Sequence, residues 1–182
     1  MKIKTYILPL FIILITISAD SYSQLPQTKI DANGDLRTIE SGMLVVPPQH
    51  KYDKIIDSLN KNLKLNAEDT TSLFYRALLY YSYNQMLAQP AQRTKGTLEN
   101  LTLAKNMIEK AIDLKMQDFR TKLLRAQIYN QLCYRFSGDE SWMFNSVDVA
   151  IRRKLFEKYK LENNNNYEAI RKIDAKDEHL YN

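Results

Sequence analysis

The side chains that most often carry catalysis or bind metals are scarce in this chain. Its 182 residues include two histidines, His50 and His179, and a single cysteine, Cys133. Neither histidine has a partner at ligand spacing, and the acidic pairs Asp139–Glu140 and Asp177–Glu178 lack a companion histidine for acid–base catalysis. The sequence contains no Gly-rich phosphate loop and no Gly-x-Ser-x-Gly elbow. We therefore predict no catalytic residue, no metal site and no cofactor, and we expect Cys133 to be a small buried side chain rather than a reactive thiol.

An acidic stretch near the N-terminus has part of the residue pattern of a calcium-binding loop. Residues 31–35 read Asp-Ala-Asn-Gly-Asp, and oxygen ligands at alternate positions suit calcium. However, Leu36 stands where such a loop needs its turn glycine, and Gly42 stands where it needs its bidentate glutamate. Asn33–Gly34 instead favours a tight turn with a short hairpin around it.

The first residues have the pattern of a secretory signal peptide. Two lysines precede the uncharged residues 5–19, a stretch that is shorter than the roughly 20 residues of a membrane-spanning helix. Ser21 and Ser23 supply the small residues of a cleavage site, with Gln24 as the first mature residue. We predict that residues 1–23 are a signal peptide and that the protein is exported, either periplasmic or secreted. The alternative is an uncleaved anchor formed by the same segment.

The charge balance narrows the expected partners. The chain carries 26 Lys and Arg against 21 Asp and Glu, a net charge of +5. Removal of the signal peptide, which holds two lysines and one aspartate, lowers that charge only to +4. On an exported protein this excess favours anionic lipid, anionic glycan or an acidic protein surface, and not nucleic acid. With 26% charged residues, no transmembrane span is expected after processing.

The apolar spacing divides the chain into regions. Prolines disfavour helix in residues 24–50, so we predict an extended N-terminal arm there. A helical domain follows at 51–176, and residues 177–182 form a charged tail. Apolar residues at helical intervals predict helices at about 51–65, 70–87, 98–112, 118–135 and 146–161, with a short last helix at 167–173 after an interruption at Asn163–Asn166.

Two of the predicted helices share a local pattern. Residues 76–80 read Arg-Ala-Leu-Leu-Tyr, and residues 125–129, 49 positions later, read Arg-Ala-Gln-Ile-Tyr. A small residue followed three positions later by tyrosine puts both on one helix face, where the small side chain allows a second helix to approach. Between them, Ala104, Ile108 and Ala111 form a small-large-small row suited to close docking.

With these features the chain resembles the tetratricopeptide repeat family, whose 34-residue unit pairs two antiparallel helices. Residues 65–67 and 114–116 both fall at the expected link between units. The resemblance covers residues 51–135 well and 146–176 poorly. It implies an all-α fold, a short right-handed array of antiparallel helix pairs with about two and a half units.

Several positions depart from the family pattern. Leu73 and Lys122 stand where the family prefers tryptophan, and Ala67 and Met116 stand where it prefers proline. The two matching patterns lie 49 residues apart, whereas the family unit has 34 residues, so one unit must contain about fifteen extra residues. The alternative is an unrelated small helical bundle with ordinary core packing.

The resemblance implies a concave surface lined mainly by the first helix of each unit. The residues that would line it and bind a peptide are Phe74, Leu78, Tyr81, Arg120, Gln127 and Asn130. The alternative is that the N-terminal arm or the long loops cover this surface.

The loop at residues 141–144 contains the only tryptophan of the chain and reads Ser-Trp-Met-Phe. Because an apolar cluster in a loop must fold back or meet a partner, we expect it to cap the core. The leading function is that of an exported, non-catalytic helical-repeat protein that binds a protein or peptide in the cell envelope or outside the cell. The alternative is a basic module that binds anionic lipid or glycan.

Overall fold

A computed structural model of the chain describes residues 25–40, 43–45, 49–87, 96–138 and 141–174. The predicted signal peptide, both acidic pairs, His179 and the tail at 177–182 lie outside these residues.

The segment predicted as an extended arm contains a small antiparallel sheet. Its strands are β1 (Thr28–Ile30), β2 (Leu36–Glu40) and β3 (Met43–Val45), in the order β1-β2-β3. Thr28 pairs with Thr38 across β1 and β2, and Thr38 pairs in turn with Val45 of β3. The turn between β1 and β2 is the one expected at Asn33–Gly34, where Gly34 has a φ of 81° that favours glycine.

Most of the described chain is helical, which confirms the coarse fold class. A 3₁₀ turn at Gln49–Tyr52 precedes five α-helices in the described ranges: α1 (Asp53–Leu65), α2 (Thr70–Leu87), α3 (Thr97–Asp113), α4 (Phe119–Phe136) and α5 (Ser146–Asp174). Consecutive helices pack against each other, most extensively α2 with α3 and α4 with α5. No helix in the described part of the chain combines the length and apolar character needed to cross a membrane.

The predicted interruption at Asn163–Asn166 is wrong, because α5 continues through it. Asparagine costs a helix only a fraction of a kcal/mol, so four of them do not force a break. Side chains on both sides of the run pack against the core: Tyr159 before it, and Tyr167 and Ile170 after it. Tertiary contacts on both sides therefore offset the modest loss of helix propensity within this run.

Two hydrophobic clusters stabilise the fold. The larger one combines residues of α2, α3 and α4 with Leu36 of β2 and Ile170 of α5. The smaller one joins α1 to α2 through Tyr52, Leu59, Leu79 and Tyr83. Because Leu36 belongs to the larger cluster, the sheet is part of the core and not a free arm.

Candidate functional site

The surface predicted to bind a peptide is largely covered. Leu78, Tyr81 and Gln127 are each no more than 3% exposed, which corrects the expectation that these three line an open groove, and Phe74 is 4% exposed. Phe74, Leu78 and Tyr81 share their hydrophobic cluster with Leu36 of β2. The N-terminal segment thus shares the core with these residues, which favours the alternative in which it covers this face.

Polar contacts hold the sheet over α4. Gln127 donates a hydrogen bond from Nε2 to Oδ1 of Asp35, at 2.8 Å. The other carboxylate oxygen of Asp35 lies 2.8 Å from Nη2 of Arg37, so the carboxylate is shared between the sheet and the helix. Arg120 makes a longer contact of 3.4 Å from Nη1 to Oγ1 of Thr28 in β1.

Beside the covered surface lies an open pocket of about 400 Å³. Two of its walls are the first turns of α2 and the start of α4. The link before α4 and Leu25, which precedes β1, complete it. The lining residues are Leu25, Thr71, Phe74, Tyr75, Met116, Asp118 and Arg120. Of the six residues predicted to bind a peptide, Phe74 and Arg120 thus reach an accessible cavity.

Matching helix starts bring these residues together. Asp69 caps α2 by accepting from the backbone N–H of Ser72, and Asp118 caps α4 by accepting from the backbone N–H of Thr121. Each aspartate also accepts a hydrogen bond from a side-chain hydroxyl: Asp69 from Ser72 at 2.6 Å, and Asp118 from Thr121 at 2.5 Å. Because α2 and α4 also contact each other, their first turns form two sides of one cavity.

The link before α4 supplies the cavity with Met116. Lys115 has a φ of 70°, and the N–H of Met116 donates to the carbonyl of Ala111 at 3.0 Å. This is the hydrogen bond of a Schellman motif, which ends α3 and turns the chain toward α4.

The pocket has an apolar side and a polar side. The rings of Phe74 and Tyr75 meet edge to face, with centroids 5.2 Å apart. Burial raises the pKa of Tyr75, and the positive charge of Arg120 opposes that rise in part. The hydroxyl of Tyr75 is therefore protonated at neutral pH and can donate a hydrogen bond to a ligand.

Arg120 and Asp118 provide the charges of the pocket. Nε of Arg120 lies 3.9 Å from Oδ1 of Asp118, and the side chain of Arg120 is 57% exposed. The carboxylate of Asp118 is already engaged by Thr121 at the helix cap. The guanidinium of Arg120 is therefore the group best placed to attract an anionic or carbonyl oxygen.

The remaining predicted residues do not join this pocket. Leu78, Tyr81 and Gln127 are buried, and Asn130 is exposed on α4 but does not line the cavity. The other lining residues are not among the six predicted ones: Leu25, Thr71, Tyr75, Met116 and Asp118. The repeated Asp-x-x-Ser/Thr pattern was the signal for Asp118, since it puts the starts of two helices at equivalent positions.

The acidic stretch at residues 31–35 is engaged within the protein. Oδ1 of Asp31 accepts from the backbone N–H groups of Asn33 and Asp35, each at 2.9 Å, and Oδ2 lies 3.2 Å from Nε of Arg37. The backbone hydrogen bond from Asp35 is the largest cause that lowers the pKa of Asp31. Within the described ranges, no group of three potential metal ligands comes together.

Cys133 is half-buried on α4. Burial raises the pKa of its thiol, so the thiol is protonated at neutral pH, which is unfavourable for a nucleophile.

Comparisons of the chain with protein-family models, with curated proteins and with solved structures find no match.

Proposed function

We propose that this chain is an exported, non-catalytic helical-repeat protein that binds a peptide or protein partner in the cell envelope or outside the cell. Export is inferred from the signal-peptide pattern of residues 1–23. The binding role is inferred from the open pocket between α2 and α4.

The repeat interpretation is supported by contacts that recur at a 49-residue spacing. The guanidinium of Arg76 lies 4.1 Å from the ring centroid of Tyr80, and that of Arg125 lies 5.6 Å from the centroid of Tyr129. The helix caps at Asp69 and Asp118 recur at the same spacing. The extensive packing of α2 on α3 and of α4 on α5 fits two helix pairs, as a tetratricopeptide-like array would have.

The pocket at the starts of α2 and α4 is the observation that carries the proposed binding role. Leu25, Phe74 and Met116 offer an apolar surface for one side chain of an extended peptide. The guanidinium of Arg120 and the hydroxyl of Tyr75 then lie beside the ligand, where they can contact a carboxylate or a backbone carbonyl. We therefore expect a preferred ligand that combines an apolar side chain with a neighbouring acidic group.

The experiment selects random displayed peptides on the purified protein and measures their affinities for three variants by fluorescence polarisation. Thr71→Trp fills the pocket, and Arg120→Ala removes its cation without disturbing the core, because Arg120 is exposed. Each is expected to weaken binding at least about tenfold, which corresponds to about 1.4 kcal/mol. Asn106→Trp adds the same ring at an exposed position of α3 outside the pocket and is expected to bind like the parent.

Selected peptides that bind Thr71→Trp as tightly as the parent would place binding outside this pocket and contradict the assignment. Turnover of a substrate by the purified protein would contradict the non-catalytic part of the proposal.

A further inference from the structure

Exposed apolar and basic side chains occur on the turn before α5 and along one side of its first half. The residues, called here the basic apolar face, are Trp142, Met143, Val147, Ile151, Lys154 and Lys158, all of them exposed. Trp142 is 74% exposed and Val147 is 66% exposed, so the expectation that the 141–144 loop folds back to cap the core is wrong for Trp142. Intervals of three and four residues keep Val147, Ile151, Lys154 and Lys158 on one side of the helix.

The turn that carries Trp142 is held in place by its neighbours. Phe144 is half-buried, and the guanidinium of Arg152 lies 4.6 Å from its ring centroid and 5.2 Å from that of Phe136. Oδ1 of Asn145 accepts from the backbone N–H groups of Val147 and Asp148, each at 3.0 Å, and caps α5. Phe144 thus anchors the turn on the protein while Trp142 and Met143 stay exposed.

The charges of the face favour one kind of occupant. Lys154 and Lys158 lie among its apolar residues, and one exposed acid, Glu157, lies beside Lys158 at the edge of the face; Asp148 is half-buried and hydrogen-bonded to Asn145. A second copy of the same face would bring together four lysines and two glutamates, an excess of positive charge that an anionic surface avoids. The complementary surface is therefore anionic as well as apolar.

The side-chain types match the boundary between lipid headgroups and acyl chains. Tryptophan is enriched at that boundary because its ring is apolar and its N–H is polar. Lysine can lay its aliphatic stem along apolar surface while its ammonium reaches phosphate. The twelve helical residues from Val147 to Lys158 extend about 18 Å, long enough to lie along a bilayer surface as an interfacial helix.

We propose that the basic apolar face binds the surface of an anionic phospholipid bilayer, with Trp142, Met143, Val147 and Ile151 entering the headgroup region and Lys154 and Lys158 contacting phosphate. This surface lies on α5 and its preceding turn, whereas the peptide pocket is formed by α2, α4 and the residues beside them. The two proposals can therefore fail independently.

The test uses the fluorescence of Trp142, which is the only tryptophan in the chain. The full chain is mixed with vesicles of phosphatidylglycerol and phosphatidylcholine, and with vesicles of phosphatidylcholine alone. We expect a blue shift and quenching by brominated acyl chains with the anionic vesicles, and much weaker signals with the neutral ones. Residues 5–19 can also associate with lipid. Because every variant keeps that segment, and because the emission of Trp142 reports only the surroundings of its own ring, differences between variants are due to the basic apolar face.

Two double variants distinguish a specific contribution of the lysines on the face from the effect of the total charge of the protein on lipid binding. Lys154→Gln combined with Lys158→Gln is expected to raise the lipid concentration for half-maximal signal roughly ten- to thirtyfold. Lys64→Gln combined with Lys110→Gln makes the same charge change at exposed positions of α1 and α3, and is expected to stay within about twofold of the parent.

Three results would overturn the proposal. Trp142 emission that is unchanged by anionic vesicles but shifted by polyglutamate would assign the face to an acidic protein. A shift that depends on protein concentration without lipid, together with a dimer in sedimentation, would assign it to a second copy. Equal weakening by the two lysine pairs would show that only net charge matters.

Discussion

Arg76 and Arg125 stand 49 positions apart in the same local sequence pattern, yet their partners differ. Arg125 forms a two-pronged ion pair with Glu109, from Nε to Oε1 at 2.7 Å and from Nη2 to Oε2 at 3.0 Å. The residue 49 positions before Glu109 is Asn60, which has no charge. Burial lowers the pKa of Arg76, and its Nε is buried without a hydrogen-bond partner. Arg76 is therefore held by packing on the ring of Tyr80 and by a hydrogen bond from its Nη2 to the Tyr80 hydroxyl, whereas Arg125 is held by a full ion pair with Glu109.

We expect Glu109→Gln to lower the free energy of unfolding by about 1–2 kcal/mol, because a charge-assisted, two-pronged contact to a half-buried arginine is lost. Urea unfolding followed by circular dichroism measures this change. Urea is preferred to guanidinium chloride because urea is uncharged, whereas guanidinium chloride is a salt that would screen the ion pair.

The matched control is Glu168→Gln. Glu168 pairs with Arg171 at 3.2 Å, but these side chains are 61% and 78% exposed, against 27% and 30% for Glu109 and Arg125. Water screens the exposed pair, so we expect a loss below about 0.5 kcal/mol. Equal losses in both variants would mean that the Arg125 contact adds nothing beyond an ordinary surface pair.

At the scale of secondary-structure elements, α5 differs most from the expectation. Its run at Asn163–Asn166 has poor helix propensity, yet the helix extends unbroken from Ser146 to Asp174. Asn166 is buried, whereas Asn164 and Asn165 are exposed. The exposed pair therefore lowers helix stability without contributing side chains to the core.

Replacing both Asn164 and Asn165 by alanine should raise the free energy of unfolding by about 1 kcal/mol, since alanine is the better helix former at each position. Thermal and urea unfolding measure the gain.

If the chain instead turned at this run, the asparagines would favour the turn and the double variant would be less stable. The control is Asn130→Ala, which replaces one exposed asparagine within the uninterrupted helix α4. About half of the gain in the free energy of unfolding is expected for this single replacement.

At the scale of the whole molecule, the N-terminal sheet and the helices share one core. Leu36 is 1% exposed and belongs to the cluster formed by α2, α3 and α4. The hydrogen bond from Gln127 to Asp35 joins the two parts across 92 positions of sequence. We therefore expect the sheet and the helices to unfold together.

Leu36→Ala should lower the free energy of unfolding by about 2–4 kcal/mol, because it removes buried methyl groups and leaves a cavity. Leu65→Ala makes the same change at a side chain that is 79% exposed, and should cost less than about 0.5 kcal/mol. Chemical denaturation monitored by circular dichroism measures both variants. Two separate transitions in the parent, or an unchanged stability in Leu36→Ala, would show that the sheet is not part of the core.

Local patterns in the sequence were sufficient to place α1 to α4, the first half of α5 and the hairpin turn. Helix starts such as Asp118 and turns such as Asn33–Gly34 depend on residues only a few positions apart, so they are readable without the fold. The candidate site was predicted only in part, with Phe74 and Arg120 in the pocket and Gln127 buried beneath Asp35. Only the tertiary structure decided that the sheet joins the core beside the predicted groove residues, that Trp142 is exposed and that α5 continues through its asparagines. These features depend on contacts between distant segments, whose energies outweigh local preference and leave no short-range pattern in the sequence.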